Sequence, residues 1–358
     1  MTTSSLTDTV ARIGAPDASA AAETQRRLDF KTKPRGSLGR LEATACEIAG
    51  IRGNAAPPMP RKAIVVMGAD HGVAAEGVSA YPSEVTAQML LNFAAGGAAI
   101  NVLARRADAR LVVVDMGVVA PLPAGVPVRA ERIGPGTKSF VREPAMTRAQ
   151  AVQALEVGIG IANELARDGI DLIGLGDMGI GNTTASTALT AAFTGAAPAA
   201  ITGRGTGIDD AGYARKVEAV VAALALHGLT GGSGGMDPVE VLARVGGFEI
   251  AGLAGVALGA AGARVPVLLD GFISSTAGLV AARIAPGAAA FFVASHRSVE
   301  IGHRTVLEAL GVEPLLDLDL RLGEGTGAAL AMSLVDASLA ILHEMATFES
   351  AGVADTGR

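Results

Sequence analysis

The chain has no tryptophan, only 3% aromatic residues and a single cysteine, Cys46, among its 358 residues. One cysteine excludes an intramolecular disulfide and a thiolate metal cluster, and it fits a reducing cytoplasm. Cys46 could be a nucleophile, but it lies beside Ile48 in an apolar helical pattern, which favours a core thiol. The core must consist of small aliphatic residues, and 47 glycines allow helices to pack closely on strands. This composition predicts an α/β protein.

Signals for membranes, secretion and nucleic acid are also missing. The uncharged apolar run 250–263 is shorter than the roughly 20 residues of a membrane span. Residues 1–16 lack the basic start and the apolar run of a secretory signal. The formal net charge is -6, and no cluster of Lys and Arg is interleaved with aromatic residues. We therefore expect a cytoplasmic protein with neither membrane nor nucleic-acid partners.

Short apolar runs alternate with helical patterns along most of the chain. Such runs are typical of parallel strands that are covered on both faces, and the alternation predicts an open, doubly wound parallel sheet. The predicted strands are 63–67, 111–115, 170–175, 265–269, 289–294 and 315–320. The predicted helices are 18–28, 38–51 with Ser37 as its cap, 82–93, 148–167, 182–193, 210–227, 238–245, 271–283, 298–310 and 326–345.

The first two helices and the last one have no neighbouring strand in the sequence on which to pack. We therefore predict a small helical domain formed from both chain ends, residues 1–55 plus 326–358. Residues 56–325 would form the large α/β catalytic domain.

Glycine-rich turns follow three of the predicted strands, where open α/β sheets bind their ligands. The turn at 176–184 joins a strand to a helix start and predicts an anion site. The turn is not a Walker loop, because no Gly-Lys-Ser/Thr follows it. It is not a full dinucleotide fingerprint either, because Thr184 stands in place of the third glycine. A monophosphate therefore fits better than a nucleoside triphosphate or NAD. The alternative is a tight turn in which Thr183 or Thr184 caps the helix. The predicted phosphate-binding residues are Gly179, Ile180, Gly181, Asn182, Thr183 and Thr184.

A second glycine-rich turn, 202–207, contains Gly203 and precedes Lys216. Together they could complete a phosphate site, although Lys216 taken alone fits a solvated surface lysine. The third turn, 323–327, places Glu324 between glycines at the start of a helix, and Asp177 opens the first. Two carboxylates at neighbouring strand ends would suit a cationic transition state; the alternative is that each satisfies backbone N–H groups at a helix terminus.

Asp70 and His71 follow the first predicted strand, where they could form a metal site or a proton shuttle. No second histidine stands at ligand spacing, so a structural or substrate-contacting role is favoured over a metal. The same holds for His296 and His303.

Five sequence blocks, taken together and in order, resemble the nicotinate-nucleotide:dimethylbenzimidazole phosphoribosyltransferase family. They are residues 33–42, 69–73 continuing into 77–82, 178–184, 270–272 and 323–327. The resemblance implies a Rossmann-like sheet, a small domain from both chain ends, a homodimer, and no metal or organic cofactor.

The resemblance also implies residue roles. Glu324 matches the catalytic glutamate, and residues 179–184 with Lys216 match the phosphate-binding elements. Asp177 stands where the family usually has a glutamate, and its shorter side chain leaves its role open. The remaining substrate-binding positions implied are Ser79, Tyr81, Gln88, Leu322 and Asp270.

The implied reaction moves the ribose phosphate of nicotinate mononucleotide onto a benzimidazole-type base and inverts the β-linkage to α. A relative of the same fold that uses adenine or phenols stays open. A dinucleotide-dependent dehydrogenase is disfavoured, because a ribose-binding acid is missing about 20 residues beyond the turn. A nucleotide-binding sensor would not need Glu324.

Overall fold

Six parallel strands form the main sheet in the part of the chain that the computed structural model describes, residues 5–205 and 207–354. Thr206 of the second glycine turn, and residues 1–4 and 355–358 of the predicted helical domain, lie outside the described residues. The strands are β1 Lys62–Ala69, β2 Ala109–Gly117, β3 Arg129–Ala130, β4 Leu172–Met178, β5 Val267–Leu269 and β6 Phe292–Ala294. Their order is β3-β2-β1-β4-β5-β6, which confirms the predicted doubly wound parallel sheet.

Helices cover both faces of the sheet. They are α1 Leu6–Arg12, α2 Ala18–Asp29, α3 Arg40–Arg52, α4 Glu84–Ala95, α5 Ala99–Arg106, α6 Arg148–Arg167, α7 Asn182–Thr194, α8 Pro198–Ile201, α9 Asp210–Leu226, α10 Pro238–Val245, α11 Phe248–Gly262, α12 Phe272–Ile284, α13 Ile301–Leu310, α14 Thr326–Glu344 and α15 Phe348–Ala351. On one face α11 contacts β1 and β4, and on the other α4 and α14 do so. Being covered on both faces explains why β1 is an uninterrupted apolar run that is buried from Ala63 to Ala69.

Four predicted element boundaries were wrong. The strand at 289–294 is reduced to β6, because Pro286–Phe291 form a 3₁₀ helix. The strand at 315–320 is reduced to Leu316–Asp317 (β8), which pairs with His296–Arg297 (β7) in a separate two-stranded sheet. Because β7 extends to Arg297, α13 begins at Ile301, three residues after the predicted start at 298. Ser37 does not cap α3, which begins after Gly39 without a side-chain cap.

Five helices of the described chain were not predicted: α1, α5, α8, α15 and α11. The last is buried on every side, so its sequence is apolar all round and carries no amphipathic period that would mark it as a helix. It packs along α6, where Gly158 and Gly255 allow the two backbones to approach closely; a Cβ at Gly255 would overlap the carbonyl of Leu155.

The two chain ends meet at α14. This helix contacts α2 and α3, and Lys31 Nζ donates to the Met345 carbonyl at 2.6 Å. Its first half also lies on the sheet, where a Cβ at Gly174 would meet Ala328 at 3.1 Å. The terminal helices and the strands thus share one hydrophobic cluster, which includes Leu28, Ile64 and Leu339. The division into a small helical domain and a large one stays a prediction.

Two segments of the described chain are long and apolar enough to cross a membrane, Glu84–Arg106 and Thr326–Glu344. The first is interrupted between α4 and α5, and both are partly buried inside the protein. Core helices pass the same test, so this is weak evidence for a membrane span.

Candidate active site

A cavity of about 260 Å³ opens at the carboxyl edge of the sheet. Its walls come from the segments that follow β1, β4, β5 and β6, together with the loop that leads into α14. These segments converge because parallel strands all end at the same edge, and the order of the sheet reverses between β1 and β4. The predicted residues in the wall are Ser79, Tyr81, Asp177, Gly179, Ile180, Gly181, Asn182, Thr183 and Leu322.

The glycine turn after β4 forms one end of the cavity. Gly181 has φ +99°, a conformation that favours glycine, and it is the N-cap of α7. Neither Thr183 nor Thr184 caps the helix by a side-chain hydrogen bond, so the capping alternative was wrong. The first-turn N–H groups of a helix lack intrahelical acceptors, and this helix start can therefore bind an anion.

Lys216 of α9 reaches the same end of the cavity from behind. Its Nζ donates to Thr183 Oγ1 at 2.8 Å and to the Gly203 carbonyl at 3.2 Å, and the side chain is fully buried. The surface-lysine alternative was therefore wrong. Burial lowers the pKa of Lys216 to about 8, although nearby Glu300 opposes the shift. Gly203 and Lys216 lie behind the wall, whereas Gly205 of the second glycine turn is part of it.

Asp177 lies in the cavity wall beside the loop that carries Glu324. A Cβ at Gly323 would lie 3.3 Å from Asp177 Oδ2, which also accepts a hydrogen bond from Asn182 Nδ2 at 2.9 Å. Burial, reinforced by the charges of Asp270 and Glu249, raises the pKa of Asp177 well above its usual value. Such a carboxyl group stays protonated to a higher pH than a solvated aspartate does.

Glu324 lies next to the cavity, behind its wall residues Leu322 and Gly323. Its backbone has φ +63°, a left-handed conformation that is strained for a non-glycine residue. Burial raises the pKa of its carboxyl group, partly offset by a hydrogen bond from the backbone N–H of Ile100. Glu324 Oε2 is buried without a partner.

Asp270 follows β5, and its completely buried side chain lies against the start of α14, outside the cavity wall. Its Oδ1 accepts from Gly327 N at 2.6 Å and Ala328 N at 3.1 Å, and its Oδ2 accepts from Gly325 N at 3.1 Å. Burial raises its pKa to about 7, and these three backbone N–H groups oppose the shift. Both oxygens hold the turn that follows Glu324, so the structure gives Asp270 no contact with the cavity.

Tyr81 and Leu322 present exposed apolar surface at the cavity mouth, with exposed fractions of 54% and 56%. Ser79 is also a wall residue. Gln88 of α4 is exposed and is not a wall residue, nor is Thr184.

The wall also contains side chains that were not predicted, among them the polar or charged Ser298, Glu300 and Arg321. The first two follow β6 and β7, so the strand-end rule applied to 289–294 would have found them. Arg321 carries no pattern of its own, and its place depends on the path of the loop between β8 and α14. His296 is a wall residue too, and burial lowers its pKa.

The remaining histidines have structural partners. His303 Nδ1 accepts from Ser298 N at 3.0 Å, and its Nε2 lies 2.9 Å from Ser275 Oγ. His71 Nε2 lies 2.6 Å from Glu249 Oε1, and both side chains are completely buried. Within the described residues no three His, Cys, Asp or Glu side chains form a group able to hold a metal ion.

We expect Asp177→Asn to raise the melting temperature at pH 8 by about 2 °C or more. The folded-state pKa of Asp177 lies above its unfolded value, so ionising this buried carboxyl group opposes folding as the pH rises above about 4. The amide keeps an oxygen for Asn182 and never ionises. Thermal denaturation from pH 4 to pH 8 should show the gain shrinking toward pH 4; a gain that is independent of pH would contradict this origin.

A doubly wound sheet with an anion-binding turn at its carboxyl edge is the architecture of α/β proteins that bind phosphorylated small molecules. A family model described as "Phosphoribosyltransferase" matches residues 13–353, and the chain belongs to this family. It is therefore an enzyme, as predicted, and the dehydrogenase and sensor alternatives are set aside.

Relatives with known names match along almost the whole chain. The nicotinate-nucleotide–dimethylbenzimidazole phosphoribosyltransferase of Roseiflexus sp. (strain RS-1) is 58% identical over 348 residues, which are 97% of this chain and 98% of the relative. The enzyme of the same name from Geobacter sulfurreducens is 52% identical over 350 residues, 98% of each chain. A crystal structure of the Thermus thermophilus enzyme superposes with a TM-score of 0.88 at 48% identity and covers 95% of this chain and 99% of its own. The resemblance found in the sequence is confirmed.

Proposed function

We propose that this phosphoribosyltransferase moves the phosphoribosyl group of nicotinate mononucleotide onto 5,6-dimethylbenzimidazole or a related base. The products are nicotinate and an α-riboside phosphate, the precursor of the cobalamin nucleotide loop. The observation that carries the proposal is the proximity of two buried carboxyl groups, Asp177 and Glu324, to a cavity whose other end is an anion site.

The phosphate of the nucleotide fits the end of the cavity formed by the start of α7 and by Lys216. A buried ammonium group and the backbone N–H groups at a helix start stabilise a phosphate that has left water, because both are donors in a region of low dielectric. The ring then lies toward Ser79, Tyr81 and Leu322, where the wall is more open. This orientation places the sugar carbon between the two ends, beside Asp177.

Glu324 is the proposed general base. Nicotinate leaves as a neutral ring nitrogen from its pyridinium and needs no acid, whereas the azole N–H of the incoming base must lose a proton as the other nitrogen attacks. Burial raises the pKa of Glu324, which makes it a stronger base than a solvated glutamate. Attack opposite the departing nicotinate inverts the sugar carbon.

Asp177 is proposed to stabilise the positive charge that develops on the sugar. Burial raises its pKa, and a bound pyridinium would favour its ionised form by direct electrostatic attraction. Asp270 acts indirectly. It accepts hydrogen bonds from backbone N–H groups at the start of α14 and so fixes the backbone that follows Glu324. We therefore assign Asp270 a positioning role in place of a substrate contact.

A single incubation tests the reaction. Purified protein with nicotinate mononucleotide and 5,6-dimethylbenzimidazole should release nicotinate and form the α-riboside phosphate in equal amounts, measured by chromatography. Parallel incubations with adenine and with a phenol determine which base is preferred. Release of nicotinate without any coupled riboside would contradict the transfer.

Further parts of the proposal concern the working form of the enzyme. We infer a homodimer in the cytoplasm that needs neither a metal nor an organic cofactor. Light scattering gives the oligomeric state, and unchanged turnover after dialysis against EDTA is the expected result for metal-free catalysis. We also propose that residues 1–55 plus 326–358, which include α14, form a small helical domain beside the α/β catalytic domain.

Gly181→Val should raise the Kd for nicotinate mononucleotide at least tenfold. The backbone there has φ +99°, which valine does not adopt, and a Cβ would lie 3.2 Å from that of His71. The N–H groups of the turn must therefore move away from the phosphate, while the free base should bind as before. Calorimetry with both ligands checks this, with Gly160→Val as the control, because a Cβ there meets nothing within 4 Å. Equal loss of affinity for both ligands would indicate misfolding instead.

A further inference from the structure

A buried pair of ionisable side chains, His71 and Glu249, lies directly behind the cavity wall. His71 follows β1, and Glu249 is the second residue of α11, so the pair joins two elements that are distant in sequence. The Nε2–Oε1 distance is 2.6 Å, and both side chains are completely inaccessible to solvent. Neither residue is part of the cavity wall, and the proposed chemistry uses neither of them.

The glycine turn after β4 rests on this pair. A Cβ at Gly179 would lie 3.1 Å from His71 Nε2 and 3.2 Å from Glu249 Oε1. A Cβ at Gly181 would lie 3.2 Å from the His71 Cβ. Two glycines of the turn are therefore in contact with the pair, with no room for a side chain between them. The turn is also held by the hydrogen bonds from Ile180 N to Thr86 Oγ1 at 3.1 Å and from Asn182 Nδ2 to Asp177 Oδ2 at 2.9 Å.

The two side chains depend on each other for their hydrogen bonding. His71 Nδ1 and Glu249 Oε2 are buried and have no hydrogen-bond partner. Each residue thus has one strong hydrogen bond, and its partner is the other residue of the pair. Removing one member leaves the other buried and unpaired, which forces a local rearrangement. The elements nearest to such a rearrangement are the glycine residues that contact the ring.

Glu249 also acts on the cavity through its charge. It is one of the groups, with Asp270 and Glu324, that raise the pKa of Asp177 beyond the effect of burial. Asn182 opposes this shift through its hydrogen bond to Asp177. The charge of Glu249 therefore affects the pKa of Asp177, the carboxyl group that is proposed to face the sugar.

We propose that His71 and Glu249 are positioning residues whose buried hydrogen bond fixes the turn 179–182 against the phosphate of the nucleotide substrate. This inference rests on the proposed function, in which that turn binds the phosphate. It gives the conspicuous Asp70–His71 motif a role in substrate affinity, with no proton transfer to substrate and no metal.

The test compares three variants: His71→Leu, which removes the hydrogen bond, His71→Gln, whose amide can donate to Glu249, and Glu249→Gln. For His71→Leu the KM for nicotinate mononucleotide should rise about 10- to 100-fold, since a displacement of about 1 Å costs this much in an oriented site. The KM for dimethylbenzimidazole and kcat should stay within about threefold. His71→Gln should recover most of the affinity. Glu249→Gln removes one charge that raises the pKa of Asp177, so the pH dependence of thermal stability that is due to Asp177 should shift toward lower pH.

Several outcomes would overturn the inference. One is a His71→Leu enzyme with a normal KM for the nucleotide, and another is a loss in which both KM values change equally. If His71→Leu does not fold, Glu249→Leu decides by the same KM comparison, because it removes the same buried hydrogen bond. Gly181→Val separates the two hypotheses. If it also binds nicotinate mononucleotide normally, the phosphate site itself is misplaced; if it alone loses affinity, the phosphate site stands and the positioning role fails.

Discussion

Replacing Glu324 with glutamine should lower kcat by about 10² to 10⁴, the usual contribution of a general base. Glutamine preserves the size of the side chain and can still accept the hydrogen bond from Ile100, so the strained turn should keep its shape. What it loses is the ability to take the azole proton. Single-turnover measurements with nicotinate mononucleotide and dimethylbenzimidazole give the rate, and calorimetry should show nearly unchanged nucleotide affinity.

The pH dependence gives a second reading of the same variant. Because burial raises the pKa of Glu324, the wild-type rate should fall as the pH drops through that pKa and the base becomes protonated. Glu324→Gln should lack this acidic limb. Glu308→Gln is a matched control, since that carboxylate is on the surface of α13 with 70% of its side chain exposed. Near-normal turnover of Glu324→Gln would show that Glu324 is not the general base, and Asp177 would then be the next candidate.

Lys216→Met should raise the KM for nicotinate mononucleotide about 10- to 100-fold, since charge-assisted hydrogen bonds to a buried phosphate are among the stronger ones. Methionine fills the same buried space without a charge or a donor, so the variant should fold. The hydrogen bond to Thr183 Oγ1 at 2.8 Å shows that the ammonium group already lies against the anion-binding turn. Initial rates at varied nucleotide concentration measure the effect, with exposed Lys138→Met as the control.

The pKa of Lys216 adds a pH dependence to this prediction. Burial lowers it to about 8, so the lysine loses its charge as the pH rises through that value, and the wild-type KM for the nucleotide should increase above about pH 8. In Lys216→Met this increase should disappear. A variant that keeps both the wild-type KM and its alkaline rise would show that Lys216 does not contact the phosphate.

Much of the site followed from the order of residue types along the chain. A strand that ends in a glycine turn before a helix must direct N–H groups to one edge of a parallel sheet, which is why 179–184 could be predicted as an anion site. The role of Lys216 was harder to predict, because a single lysine belongs to no sequence pattern that would distinguish a buried ammonium group from a solvated one. It required the packing of α9 against α7 to show that its ammonium group is buried on Thr183.

Asp270 and Glu249 illustrate what the sequence withheld. An aspartate between a strand and a helix predicts a ligand contact as readily as a helix cap, and only the structure shows its oxygens on three backbone N–H groups of α14. Glu249 lies at the start of a helix so apolar that its sequence carried no amphipathic period. Its pairing with His71 spans 178 positions and leaves no local signal.

The sequence by itself determined the doubly wound sheet and the glycine turn before α7, because short-range patterns of apolar residues and glycines dictate strand, turn and helix; the resemblance of its blocks to a known family identified the enzyme family. The tertiary structure alone decided which carboxyl groups are buried together, that β8 leaves the main sheet to pair with β7, and that α14 lies both on the sheet and against the N-terminal helices. The physical reason is that burial and charge coupling depend on distances between elements that are remote in sequence. Those distances raise the pKa values of Asp177 and Glu324, and only packing sets them.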